Sequence, residues 1–260
     1  MPHRITTARL SVLLTAAALG LGVPRTAAAQ DLQVHAAVSL AEVLDELVEE
    51  WEAETGLDVL ITYGPSSALA RRIGEGAQAD IFLSANEGWM DHVAALGLLD
   101  NSSRRDLATN RLALAATGDP GDPGTIGPDF DLVGLLGVGR LSIPHPDSEA
   151  AGLYGKAALV SLGLWDSVAP HLLETADVRQ SLAAVLQGDA RAAIVFVTDV
   201  AAAPGLRVLG LFPADSHPRI VYSGAVLPEG NAAVAGEFLD MLSGPVARAA
   251  FASHGFGTVQ

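Results

Sequence analysis

Two short apolar runs near the start of the chain, Leu32 to Val38 and Leu57 to Tyr63, are each followed by a serine that opens a helical pattern. After Ser39, the residues Leu40, Val43, Leu44, Leu47, Val48 and Trp51 recur at the helical period and make one apolar face. Ser39 with Glu42 three residues on has the spacing of a capping box. After the second run, Gly64-Pro65-Ser66-Ser67 leads into a helix over 68–74. Asp80 to Ser84 reads as a third strand, and Trp89, Met90, Val93 and Leu96 form the inner stripe of the helix behind it, which Gly97 ends. Strands alternating with helices in this way predict an α/β protein with mostly parallel sheets.

The pattern continues beyond a turn-rich segment, Gly118 to Gly124. Strands are predicted at Arg111 to Thr117, Arg140 to Ile143, Ala192 to Val197 and Arg219 to Leu227, with helices at Ala150 to Leu162, Val178 to Gln187, Ala232 to Leu242 and Pro245 to His254. If the runs near Arg111 and Arg219 are paired crossings, both chain ends belong to one lobe and a cleft lies between two lobes. Periodicity alone leaves that arrangement open.

The first residues have the order of an export signal: Arg4 and Arg9, an apolar run from Leu10 to Val23, then Ala27-Ala28-Ala29. The run is too short for a membrane span, which needs roughly 20 residues, so removal of 1–29 and a periplasmic location are expected. The chain has no cysteine, which excludes disulfides and thiolate metal sites. Its formal charge is -15, and the leader holds three arginines and no acid, so the remainder is more negative still. With Lys156 the single lysine and no basic run, nucleic acid is not expected as a partner. An anionic ligand would have to be held by local dipoles and hydroxyls against the long-range field.

Helix starts supply such dipoles, because the first turn leaves backbone N–H groups unpaired at the positive end of the macrodipole. Ser39, Ser66 and Ser67 add hydroxyls at two starts, although a lone serine there is ordinarily just an N-cap. Enzyme motifs are absent: there is no Gly-x-Ser-x-Gly, no His-Glu-x-x-His, and the seven histidines show no metal-ligand spacing. Gly155-Lys156 is followed by Ala157 rather than the Ser or Thr of a phosphate loop. A Ser-His-Asp triad drawn from distant positions stays open.

Ala36-Ala37-Val38-Ser39-Leu40, Ser66-Ser67-Ala68-Leu69-Ala70-Arg71-Arg72-Ile73, Ala79-Asp80-Ile81-Phe82-Leu83-Ser84-Ala85, Ala151-Gly152-Leu153-Tyr154, Asp177-Val178-Arg179, and Phe212-Pro213 with Asp215-Ser216-His217 occur in an order and spacing that resembles the periplasmic molybdate-binding proteins. The resemblance covers nearly all of the chain after the leader. It implies a type II periplasmic binding protein, two α/β lobes with a ligand cleft between them, lobe one being 30–112 plus 218–260 and lobe two 113–217. It further implies capture of molybdate or tungstate and delivery to the membrane permease of an ABC importer. A monomer is expected, with no cofactor and no direct metal ligand. The alternative is a receptor for another tetrahedral oxyanion such as sulfate or phosphonate.

The resemblance maps the ligand set onto Ser39 and Ser66, through hydroxyl and backbone N–H, onto the backbone N–H groups of Ala151 and Val178, and onto Phe196. At the last position many family members carry a tyrosine whose hydroxyl reaches the anion, and Thr198 is the nearby hydroxyl that could substitute. The mapped set is made of donors alone, which suits a fully deprotonated dianion and disfavours a protonated phosphate.

Overall fold

The computed structural model describes residues 32–118 and 124–259. The proposed leader and most of the turn-rich segment lie outside the described residues. Eleven strands and ten α-helices occur among the described residues. In chain order they begin β1 (Leu32–Ala37), α1 (Ala41–Thr55), β2 (Val59–Gly64), α2 (Ser66–Gly74), β3 (Ile81–Ser84), α3 (Glu87–Ala95), β4 (Arg105–Thr109) and β5 (Leu112–Thr117). They continue with β6 (Gly124–Thr125), α4 (Leu132–Leu136), β7 (Leu141–Pro144), α5 (Ala150–Ser161), α6 (Trp165–Val168), β8 (Leu172–Thr175), α7 (Val178–Gln187) and β9 (Ala192–Phe196). The last are α8 (Val197–Ala201), β10 (Leu206–Leu211), β11 (Val221–Val226), α9 (Ala232–Leu242) and α10 (Pro245–Ser253).

Two sheets result, one in the order β2-β1-β3-β11-β4 and the other β6-β10-β5-β9-β7-β8. The chain passes from the first to the second through Asn110 and Arg111, and returns between β10 and β11. The first sheet therefore takes strands from both ends of the described chain. This is the two-lobed α/β architecture of a type II periplasmic binding protein, with helices on both faces of each sheet.

The expectation of mostly parallel sheets holds only narrowly, by five parallel strand pairs to four antiparallel ones among the described residues. β1, β2 and β3 run parallel, as do β7, β8 and β9, but β11 is antiparallel to both β3 and β4, and β5 is antiparallel to β9 and β10. β5 and β11, the strands that follow the two crossings, enter their sheet from the opposite end to the βα units. Apolar periodicity carries no information on strand direction, so the sequence could not reveal this.

In the first lobe, Leu40, Val43, Leu44 and Leu47 of the first helical face are buried, and Trp51 meets Phe238 of α9 edge to face at 5.4 Å. Leu69, Ile73, Met90 and Val93 from α2 and α3 cover the other face of the sheet beside Phe82. Leu96 departs from the predicted stripe, being half exposed at the C-terminal end of α3 just before Gly97. Asp80 joins the chain ends: its carboxylate accepts from the backbone N–H groups of Gln33 and Asn231, both at 2.7 Å.

Candidate functional site

The two lobes face each other across a cleft of about 270 Å³, counted with its open mouth. Ser39, Ser66, Ala151, Val178 and Phe196 all line it, together with Pro65, Ala85, Glu149 and Asp177. The structure thus brings the mapped residues to one place from five separate segments.

Both serines arrive at the ends of parallel strands. Beyond β1 the chain takes one 3-10 turn, Val38–Leu40, before α1 begins. Ser39 sits inside that turn and does not cap the helix, so the capping box predicted with Glu42 is not formed. Its hydroxyl lies instead 3.0 Å from the hydroxyl of Tyr222 on β11. The amide Nδ2 of Asn110 donates to that same Tyr222 oxygen at 3.2 Å, while Asn110 Oδ1 accepts from Arg111 N–H. Burial pushes the Tyr222 phenol well above its ordinary range, which keeps it a neutral donor. Asn110 Nδ2 can only donate to Tyr222, so Ser39 Oγ is the acceptor left for the Tyr222 proton among the described residues; in the order Asn110 to Tyr222 to Ser39 the Ser39 proton is free to donate elsewhere.

Ser66 is arranged alike. Its oxygen accepts from the Ala85 backbone N–H at 3.0 Å, so its own proton is also free. Ser66 is the first residue of α2, so the helix starts two residues earlier than expected, because Pro65 already serves as the N-cap. The first backbone bond of α2 runs from Leu69 N–H to Pro65, which leaves the earlier N–H groups without helical partners.

Across the cleft, the first backbone bond of α5 is Leu153 N–H to Glu149 and that of α7 is Ser181 N–H to Asp177. Ala151 and Val178 therefore present first-turn N–H groups at the cleft wall. Gly152 lets α5 approach closely, since a Cβ there would lie 2.1 Å from the Pro144 carbonyl oxygen. Asp177 caps α7 by accepting from Gln180 N–H at 2.9 Å.

Phe196 closes the floor, packed edge-on to Tyr222 at 5.9 Å and Tyr154 at 6.3 Å. Thr198 does not stand in for the absent phenol hydroxyl: it does not line the cleft, and its Oγ1 lies against Asn110 Nδ2 at 2.9 Å. Asp199, fully buried beside it, is pushed up to about 7 by desolvation while accepting from Phe196 N–H at 3.1 Å.

Several contacts bridge the lobes at the rim. Arg179 donates to the Val38 carbonyl at 3.3 Å and pairs with Glu42 at 2.5 Å; this pairing is where the supposed capping-box glutamate goes. Trp89 Nε1 donates to the Ser148 carbonyl at 2.7 Å. Ser67 donates to Glu149, and Arg71 donates to Ser67 at 3.0 Å.

Glu149, Tyr222 and Asn110 are the participants that sequence reasoning missed. Tyr222 and Asn110 are 183 and 71 positions from Ser39, and no local pattern points to them. Glu149 precedes the Ala151-Gly152 motif and gave a signal only as an acidic residue at a helix start. The mapped residues offer donors alone, yet the cleft itself contains this acceptor.

Comparison with known proteins agrees with the geometry. A family model described as "Bacterial extracellular solute-binding protein" matches residues 32–257. The chain is 36% identical to the molybdate-binding protein ModA of Escherichia coli (strain K12), covering 94% of this chain and 96% of that one. It is 30% identical to ModA of Haemophilus influenzae (strain ATCC 51907 / DSM 11121 / KW20 / Rd), covering 95% and 97%. The structure superposes on the periplasmic molybdate-binding protein of Azotobacter vinelandii with a TM-score of 0.77 at 24% identity, covering 88% of this chain and 100% of the other. The chain belongs to the bacterial extracellular solute-binding protein family.

Proposed function

We propose that the protein captures molybdate or tungstate in the cleft and presents it to the membrane permease of an ABC importer. The observation that carries this reading is the free proton on each of Ser39 and Ser66. Ser66 Oγ accepts from Ala85 N–H, and Ser39 Oγ lies where it can accept from the Tyr222 hydroxyl, so each serine can turn its own O–H to a ligand. With the first-turn N–H groups of Ala151 and Val178 opposite, a tetrahedral anion meets donors from both lobes and needs no charged side chain. Relatives with 36% and 30% identity over nearly the whole chain are molybdate-binding proteins, which supports this choice of anion.

In this reading lobe one is 30–112 with 218–260 and lobe two is 113–217, hinged at Asn110-Arg111 and the segment before β11. The leader 1–29 is removed and the mature protein works as a periplasmic monomer. The rim contacts hold the two lobes closed over the anion, and the permease recognises the closed surface. No covalent step is required.

The test is a titration read through tryptophan fluorescence, for which Trp89 at the rim is the natural reporter. Molybdate and tungstate are expected to saturate the signal at one equivalent and to resist displacement by excess sulfate. Equal displacement by sulfate would contradict the assignment. A second expectation concerns Phe196. A donor added to a charged ligand is worth about 1.5 to 3 kcal/mol, so Phe196→Tyr is expected to tighten molybdate binding roughly 10- to 150-fold by calorimetry. An unchanged affinity would mean that the added hydroxyl does not reach the anion.

A further inference from the structure

The acceptor in the cleft changes what the site can discriminate. Glu149 is the N-cap residue of α5, lines the cleft, and is only 6% exposed. Its side chain does not cap the helix. One carboxyl oxygen, Oε1, accepts from Ser67 across the cleft, and no hydrogen bond reaches Oε2 among the described residues. An ionised carboxylate beside an oxyanion adds like-charge repulsion at short range. A single proton held between them removes the repulsion and supplies a hydrogen bond.

We propose that Glu149 is a specificity-determining residue that makes anion binding conditional on one proton, carried either by its own carboxyl or by the anion. A dianion such as molybdate is then bound with Glu149 protonated, the proton coming from solvent whenever the free protein holds Glu149 ionised. A hydrogen-bearing oxyanion such as monobasic phosphate instead donates its own O–H to ionised Glu149. The idea rests on the cleft being the anion site.

The surroundings fit this role. Burial raises the Glu149 carboxyl above the ordinary range, opposed by the Ser67 hydrogen bond and by the positive charge of Arg71 on α2. Asp177 at the start of α7 adds to the rise, and His145 in the loop after β7 opposes it. Arg71 is partly spent elsewhere, donating to Ser67 and lying 5.5 Å from the Trp89 ring centre.

Calorimetry of the mature protein and of Glu149→Gln, with molybdate and with inorganic phosphate, in two buffers of different ionisation heat from about pH 5.5 to about pH 8.5, tests it. Glutamine keeps an acceptor for Ser67, so closure is preserved. For the unaltered protein the expectation is uptake of one proton per molybdate and an affinity that falls up to about tenfold per pH unit once Glu149 ionises. Glu149→Gln is expected to bind molybdate with neither proton uptake nor pH slope. A flat affinity without uptake in the unaltered protein, or the same slope in Glu149→Gln, overturns the proposal. Failure of both proteins to bind molybdate would remove the molybdate reading, and phosphate then decides about Glu149. Phosphate binding weakened at least about tenfold by Glu149→Gln supports the role; equal binding, or none by either protein, overturns it.

Discussion

Gly152→Ala is expected to cost about 3 kcal/mol of stability and to weaken anion binding beyond what that loss explains. The added Cβ would fall 2.1 Å from the Pro144 carbonyl oxygen and 2.5 Å from that of His145. Both are backbone atoms, at the last residue of β7 and the one after it, so no side chain can swing aside. The start of α5 has to lift from the sheet, and it takes the Ala151 N–H from the cleft wall as it goes. Gly236 is the control, because a Cβ there meets nothing within 4 Å on α9. Gly236→Ala is expected to stabilise by up to about 1 kcal/mol, the ordinary gain of alanine over glycine within a helix. Urea unfolding of the two variants checks the pair. If Gly152→Ala matched the parent in stability, the tight seat of α5 would be wrong.

Asp80→Ala is expected to lose about 3 kcal/mol through a different mechanism, by stranding donors. The Asp80 carboxylate accepts from Gln33 N–H on β1 and from Asn231 N–H at the start of α9, 151 positions away. Its backbone also bonds to Gln33 and Leu227. Truncation leaves two backbone N–H groups unpaired where the two chain ends join the first sheet. Charged acceptors make stronger bonds than neutral ones, so Asp80→Asn is expected to recover only part of the loss. Thermal unfolding with hydrogen exchange at Gln33 and Asn231 reads this directly. Unchanged protection at both amides in Asp80→Ala would refute the junction.

These cases mark how far the sequence could be read. Ser39 and Ser66 were visible because a hydroxyl at a strand-to-helix junction is a local pattern, and their neighbours Leu40, Val43 and Leu47 fell on the buried face as the helical period requires. Ala151, Val178 and Phe196 carry no chemistry that singles them out. Ala151 and Val178 offer backbone N–H groups, which every non-proline residue has, so only resemblance could place them. The capping box failed because one 3-10 turn intervenes between β1 and α1, and that turn frees Ser39 for Tyr222 and Glu42 for Arg179. Strand direction beside the crossings, the Asn110 to Tyr222 to Ser39 order, and the acceptor Glu149 all depend on tertiary pairing. Such pairing leaves no trace in periodicity.

The role of Asn110 links the site to the hinge. It lies in the two-residue passage between β4 and β5, and its amide holds both Tyr222 on one side and Thr198 on the other. A movement of the lobes that displaced Asn110 would release the Tyr222 hydroxyl and disturb the orientation of Ser39.

The central claim is that an oxyanion sits in this cleft, held by donors from both lobes. A crystal structure of the mature protein grown with molybdate, located by the anomalous signal of molybdenum, tests it most directly. The account predicts one molybdate within hydrogen-bond distance of Ser39 Oγ, Ser66 Oγ and the backbone N–H groups of Ala151 and Val178. Molybdate bound elsewhere, or an empty cleft at saturating molybdate, would contradict it.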